Sequence, residues 1–380
     1  MRKSRRSLPP APSSFIGVSD RGPAKYFHGR KEILSNFRNL LLRAVQDKGG
    51  TTFLIQGAPG AGKTALLDEC ERHAREKGWE TVEIDPPALW DPDELRHYLG
   101  LGNIPEVTEA SAQVGAASIV KVEAKAELPQ RTTLKILRGG KQPLLLKLDE
   151  AQTLGTVNAP PSGQDGTASN VLKAIHNGKL NRPVILIVGG LGTTVEAFES
   201  LGISRFSATC LVELGALSKE SERAVIHDWL KKDGGADGDP TAWIDAIAQE
   251  THGWPQHILS YVEPALRQLR ADGEIMTLDG LNAVLKAGCR GRSAYYEHRA
   301  HDFEEKERHC LAKSFAEVPL GESIPGDSIR ASLTQEYGPA KAEKLFHQAL
   351  NRGILSKRGG RYSVPIPSMQ DWLVVNYARI

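Results

Sequence analysis

The chain has 380 residues, 40% hydrophobic and 25% charged, with a formal net charge of +2. At roughly 100–200 residues per domain this is two or three domains with room for a large core, and the balance excludes a globally disordered or fibrous chain. Bulk charge gives no argument for nucleic acid, so any such site is a local patch.

Residues 1–24 read as a flexible basic tail: MRKSRRSLPPAPSS has the charge of a targeting segment, but not its apolar stretch. Such an arm is either merely solvated or touches nucleic acid. YFHGRKEIL opens an amphipathic helix at His28-Gly29-Arg30. TTFLIQ is a strand, GAPGAGKT a loop, and ALLDECERHAREKG a helix with a stop signal at Gly78. WETVEID (79–85), PLLLKLDEA (143–151), PVILIVGG (183–190) and LVELGAL (211–217) read as further strands, with a helix over Ser169–Leu180. Strands alternating with helices predict a three-layer α/β domain with a mostly parallel sheet. Residues 101–130, rich in Ala, Val and Glu, are an insertion, a hairpin or a partner-facing loop, and 155–168 a turn-rich loop.

From Ser218 the sheet signal stops. Ser218–Lys232, Asp239–Thr251, Gln256–Ala271 and Thr277–Ala287 read as helices, broken by His252-Gly253-Trp254-Pro255 with proline at a first helical position. Beyond residue 300, helical stretches at 303–317, 327–337 and 339–352 precede GILSKRGGRYSVPIP, two short strands around a Gly-Gly turn. That order predicts a winged helix-turn-helix. The predicted division is tail 1–24, α/β core 25–217, helical lid 218–290 and winged helix 291–380. The longest apolar run, Pro183–Leu191, is about half of the ~18 residues a membrane helix needs. Cys70, Cys210, Cys289 and Cys310 form no CxxC pair, which suits reduced thiols. A soluble, cytoplasmic protein without a membrane partner is expected.

The chemistry concentrates in Gly57-Ala58-Pro59-Gly60-Ala61-Gly62-Lys63-Thr64, a full GxxxxGK[ST] match between strand and helix, with Ala65 next. Glycines let backbone N–H groups wrap a phosphate, and the helix N-terminus adds free donors and a favourable dipole. Lys63 is placed to reach the β- and γ-phosphates, and Thr64 to ligate Mg²⁺. Asp149 and Glu150 end an apolar strand: Asp149 can hold Mg²⁺ through water, and Glu150 can polarise an attacking water. ATP and Mg²⁺ are therefore the expected ligands. His28, Gly29 and Arg30 could bring backbone against an adenine, or simply start a helix. Thr193 or Thr194 ends the strand facing the γ-phosphate, or caps the next helix. Arg205 is a surface residue or an arginine finger completing a neighbour's site. Pro255, in the lid turn, could lie over the base or ribose.

In that order, FHGRKEIL, GAPGAGKT, LLLKLDEAQ, VGGLGTT and HGWP resemble the AAA+ and STAND P-loop ATPases, in the branch near origin-recognition ATPases and bacterial AAA-family ATP-binding proteins. The resemblance spans about residues 25–290, with a winged helix as a common companion. It implies strand order 5-1-4-3-2, ATP between sheet and lid, and nucleotide-dependent assembly. It assigns the chemistry to Lys63, Thr64, Asp149 and Glu150, sensor 1 to Thr193 or Thr194, and the finger to Arg205. The family's lid arginine after the Gly-x-Pro turn is absent: Gln256 and His257 stand there. Slow, switch-like hydrolysis fits that departure.

Two functions follow. One is an ATP-hydrolysing, self-assembling switch acting on duplex DNA through Lys341, Lys344, Arg352, Lys357, Arg358 and Arg361 of the winged helix. The other is a nucleotide-gated scaffold with little turnover that holds a protein effector. A P-loop kinase is disfavoured by the acid pair and the appended domains.

Overall fold

The computed structural model describes residues 24–85, 97–98, 137, 141–155, 165–358 and 360–378. The expectations for residues 1–23 of the tail, for 101–130, for the centre of the 155–168 loop and for Gly359 of the ribbon turn lie outside the described residues.

β1 (Gly50–Gly57), β2 (Glu80–Glu83), β3 (Leu144–Leu148), β4 (Val184–Gly190) and β5 (Leu211–Leu214) form one parallel sheet in the order 2-3-4-1-5. This is the expected 5-1-4-3-2 read from the opposite edge, and it puts β1 between β4 and β5. The side chains divide with the two-residue period of a strand. Phe53, Ile55, Leu145, Ile185 and Ile187 pack on one face with Leu34, Phe37 and Leu41 of α1 (Lys31–Asp47) and Leu66 and Leu67 of α2 (Lys63–Glu76). Leu54, Leu144, Leu146, Val184, Leu186 and Val188 pack on the other with Val171, Leu172 and Ile175 of α3 (Asp165–His176) and Phe198 of α4 (Thr194–Ser200). Both faces are covered, which is why these strands are near-continuous apolar runs.

Lys147 is the exception within β3. Its ammonium is buried and held by Asp68 at 2.7 Å, Glu71 at 3.1 Å and Glu83 at 3.0 Å. Burial opposes the charge, but the bonds to Asp68, Glu83 and Glu71 outweigh it and keep Lys147 above the ordinary lysine range.

The chain then turns helical: α5 (Lys219–Asp228), a π turn (Trp229–Asp233), α6 (Thr241–Thr251), α7 (Pro255–Ala271) and α8 (Leu278–Ala300). Ile226, Leu230, Trp243, Ile247, Ile258, Tyr261 and Val284 form their shared core. The helix expected to end at Ala287 continues to Ala300, across the 290/291 boundary drawn from sequence. Gly288 does not break it; the missing side chain lets the Tyr261 ring lie against α8. After α9 (Glu305–Phe315) come β6 (Ile324–Pro325), α10 (Gly326–Tyr337), α11 (Pro339–Asn351), β7 (Ser356–Arg358), β8 (Arg361–Ser363) and α12 (Pro367–Tyr377). The three short strands make an antiparallel sheet in the order 6-8-7. Leu311, Phe315, Leu345, Phe346 and Leu373 share one continuous core with Trp254, Tyr296 and the α1–α2 face of the main sheet. No helix among the described residues is long and apolar enough to cross a membrane.

Candidate functional site

β1 delivers the loop 58–62 to the carboxyl edge of the sheet, and α2 begins at Lys63. The first-turn amides of α2 have no partner within the helix, and the N-cap, Gly62, has no side chain to offer them. Free donors, a dipole and a lysine converge here, the arrangement that suits a phosphate. The Lys63 ammonium, 7% exposed, donates to the carbonyls of Gly57 at 3.0 Å and Ala58 at 3.2 Å. Burial lowers its pKa; Glu150 and Asp149 oppose the shift, and Arg299 adds to it.

β3 ends one residue before Asp149, and the Thr64 hydroxyl donates to Asp149 Oδ2 at 2.7 Å. Two sequence motifs 85 residues apart thus meet at one point. Thr64 and Asp149 are hard oxygen donors fit for Mg²⁺, an ion that takes few protein ligands and completes its shell with phosphate and water. Among the described residues no cluster of three or more His, Cys, Asp or Glu side chains offers a protein-only metal cage.

Glu150 is exposed, has φ 53°, and its N–H donates to Asp149 Oδ1 at 2.9 Å. Gln152 was not singled out from sequence, although it stands in the quoted LDEAQ. Its amide donates to Glu150 Oε2, and its carbonyl accepts from Leu191 N–H at 3.1 Å. Gln152 therefore ties the acid at the end of β3 to the end of β4. Thr194 is fully buried and its hydroxyl donates to the Leu191 carbonyl at 2.6 Å, while Thr193 is the N-cap of α4 without a side-chain cap bond. Thr194 thus shares Leu191 with Gln152.

His28 and Arg30 pack against the connection from β5 to α5. His28 Nε2 is 2.9 Å from Asp228 Oδ2, and the Arg30 guanidinium donates to the carbonyls of Gly215 and Ala216. Burial lowers the Arg30 pKa. Both side chains are thus engaged with the segment from Gly215 to Asp228. Arg205 is exposed on the loop between α4 and β5, where its carbonyl meets His176 at 2.9 Å.

The opposite wall comes from the lid and beyond. Glu222, buried in α5, accepts from Thr251 Oγ1 and from Gly253 N–H at 2.5 Å, fixing the His252–Pro255 turn. That turn lies on the loop: Pro255 packs over Gly62, and Gln256 N–H donates to the Gly60 carbonyl at 3.2 Å. From α8, the Tyr295 hydroxyl donates to the Pro59 carbonyl at 3.0 Å. From the C-terminal region, Gly353 lies directly on the Pro59 ring. Sequence reasoning did not single out Tyr295 or Gly353, because no local pattern marks a residue brought to the loop from more than 200 positions away.

No family model matches the chain. No curated protein matches it. Solved structures do. It is similar to a Walker-type ATPase of Pyrococcus abyssi at 14% identity and TM-score 0.53, over 93% of this chain and 97% of that one. It is also similar to the Aeropyrum pernix ORC2 protein. The ADPNP-ADP complexes match at 16% identity and TM-score 0.55, over 93% and 94% of the two chains. The ADP form matches at 15% and 0.57, over 93% and 95%. At such identity the likeness establishes architecture: a five-stranded parallel sheet flanked by helices, the three-layer P-loop NTPase fold.

Proposed function

We propose that the protein binds ATP with Mg²⁺ at the Gly57–Ala65 loop and hydrolyses it slowly, as a switch. The observation that carries this reading is the Thr64–Asp149 contact at 2.7 Å beside the buried Lys63. Lys63 and the first-turn amides of α2 hold the phosphates, and Thr64 with Asp149 holds the metal. Mg²⁺, when bound, neutralises charge on the phosphate oxygens. Glu150 takes the proton of the attacking water, and Gln152 holds Glu150 in position. Thr194, with Gln152, fixes the end of β4, and Pro255 closes the lid turn over the loop. Arg205 is a finger toward a neighbouring subunit if the chain self-assembles. The Walker-type ATPase and the ORC2 complexes with ADPNP and ADP support nucleotide binding as the shared use of this architecture.

We read the C-terminal region as a winged helix with β7–β8 as the wing. Its cations are largely engaged within the chain: Lys341 with Glu307 at 2.9 Å, Arg352 with Asp302, and Arg361 with Ser323. Lys357 pairs with Glu196 of α4 at 2.6 Å, and Arg358 with Glu213 of β5 at 3.3 Å. This favours the second reading, a nucleotide-gated module that holds a partner protein, over one with a standing duplex-DNA surface. DNA contact would exchange these partly exposed ion pairs for phosphates, beside the exposed Lys344. Phosphate release by the full chain, with and without duplex DNA at low and high salt, tests both. Slow turnover unchanged by DNA supports the gated module. Several-fold stimulation that vanishes at high salt supports the DNA-linked switch. Absence of nucleotide binding, by fluorescence titration with labelled ADP, removes both.

A further inference from the structure

The turn that ends β4 is held from two sides. On one side stands Gln152, whose carbonyl lies 3.0 Å from the point a Cβ on Gly190 would take. Leu191, the next residue, gives its N–H to that carbonyl at 3.1 Å and accepts from the Thr194 hydroxyl at 2.6 Å. The amide nitrogen of Gln152 donates to Glu150. Glu150 is exposed, and among the described residues Gln152 is the only hydrogen-bond donor to its carboxylate.

On the other side the turn carries the β7–β8 ribbon. A Cβ on Gly192 would lie 3.6 Å from Ser356 Oγ and 3.9 Å from the Lys357 nitrogen, both on β7. The Lys357 ammonium pairs with Glu196 in the first turn of α4, the helix that Thr194 begins. Arg358 pairs with Glu213 of β5. β7 therefore rests on the segment from Gly192 to Glu196, directly after the Leu191 amide that fixes Gln152. A general base must lie within hydrogen-bond reach of its water, and a misplacement of about 1 Å costs on the order of 10²-fold in rate. An exposed glutamate has many rotamers, and a charge-assisted bond restricts them.

We propose that Gln152 is a positioning residue for Glu150, and that the ribbon seated on the β4–α4 turn acts through it on the rate of hydrolysis rather than on nucleotide affinity. The inference rests on the reading of Gly57–Ala65 as a nucleotide site with Glu150 as its base. Lys63 bonds the carbonyls of its own loop and Thr64 bonds Asp149, so the groups that hold the nucleotide do not depend on this turn. A partner protein that draws the ribbon away slackens Leu191 and Gln152, leaves Glu150 without its anchor and prolongs the triphosphate-bound state. A gated module needs that behaviour: it keeps its nucleotide for as long as the partner is held.

The test separates rate from affinity in the full chain, by single-turnover hydrolysis of ATP and by equilibrium titration with ADPNP. Gln152→Ala is expected to slow hydrolysis roughly tenfold and to keep ADPNP affinity within about twofold of wild type. Gln152→Glu keeps an acceptor for Leu191 N–H but loses the donor to Glu150, and is expected to be as slow. Two variants unseat the ribbon by different means. Lys357→Glu with Arg358→Glu sets like charges against Glu196 and Glu213, and Ser356→Trp crowds Gly192. Each is expected to slow hydrolysis about three- to tenfold with affinity retained, and Glu196→Lys with Glu213→Lys to restore the rate of the charge-reversed chain. In the Gln152→Ala background the charge reversal is expected to add nothing, because both changes break one link. Wild-type rates in both ribbon variants, or a slowing that multiplies with that of Gln152→Ala, overturn the ribbon's action through Gln152. A wild-type rate in Gln152→Glu overturns the hold on Glu150. If one ribbon variant fails to melt cooperatively, the other decides on the same criterion. If Lys63→Ala binds ADPNP like the wild type, or Glu150→Gln hydrolyses ATP like it, the underlying reading of the site fails instead.

Discussion

The two walls of the phosphate loop are built differently. The wall on the sheet edge is made of short motifs: Lys63 and Thr64 follow β1, Asp149 and Glu150 follow β3, and register brings them together. Thr64 is paired with Asp149, and Gln152 ties one strand end to the next. The facing wall is assembled from Trp254 and Gln256, from Tyr295 and Arg299, and from Gly353, three separate stretches of chain. It carries the rings of Trp254 and Tyr295, shares the core of the C-terminal region, and leaves Trp254 Nε1, His257 Nδ1 and Arg299 Nε without a partner. A wall whose geometry comes from strand register can be rigid without a ligand. A wall made of packed helices can shift as a body, and that suits it to report what the first wall holds.

The largest expected effect breaks the sheet-edge wall alone. Glu150→Gln removes the proposed base while keeping shape, and single-turnover hydrolysis is expected to fall roughly 10²–10⁴-fold with nucleotide affinity retained. Turnover at the wild-type rate would move the base elsewhere.

The next effect belongs to the facing wall. His257 is fully buried beside Tyr296, whose hydroxyl lies 3.1 Å from its Nε2. Burial first, and then the charges of Arg292 and His252, push it down to about 3. In the unfolded chain it titrates near ~6.5. As pH falls the unfolded chain takes up the proton first, so the stability from neutral His257 is complete above about 6.5 and lost progressively toward about 3. About 2 kcal/mol of it should go between pH 6.5 and 5. Urea unfolding of the wild type and of His257→Phe at those two pH values measures this. Parallel losses in both proteins would show that His257 does not carry the acid sensitivity.

A smaller effect should come from Gly353→Ala. Gly353 has φ 66°, and a Cβ there would overlap the Pro59 ring. Strain and overlap together are expected to cost about 1–3 kcal/mol, and displacing the β7–β8 ribbon should speed its cleavage by trypsin. Unchanged proteolysis would mean the wing tolerates the shift while docked. The smallest effect sharpens the comparison. Lys357→Ala with Arg358→Ala removes two partly exposed ion pairs to the core, and stability should change by less than about 1 kcal/mol. A loss of several kcal/mol in guanidinium melts would show that these pairs, rather than the apolar contact, seat the wing.

Much of this was legible before the fold. Runs such as PVILIVGG become strands because both faces of a parallel sheet are covered, and GAPGAGKT between strand and helix has few other uses. In the C-terminal stretch the three helices and the β7–β8 pair were legible, whereas β6 and α12 were not, and the structure engages most of the basic residues there in ion pairs. Lys147 shows the same limit: within LLLKLDE it carries no signal of the Asp68, Glu71 and Glu83 that hold it.

The sequence by itself determined the sheet, the phosphate loop and the acid pair, because their physics is local: apolar alternation, glycine at a tight turn, a carboxylate at a strand end. Only the tertiary structure decided that Thr64 hydrogen-bonds Asp149, that Gln152 bridges β3 and β4, and that Tyr295 reaches the loop from α8. Those contacts depend on the packing of helices distant in the chain, which no window of neighbouring residues encodes.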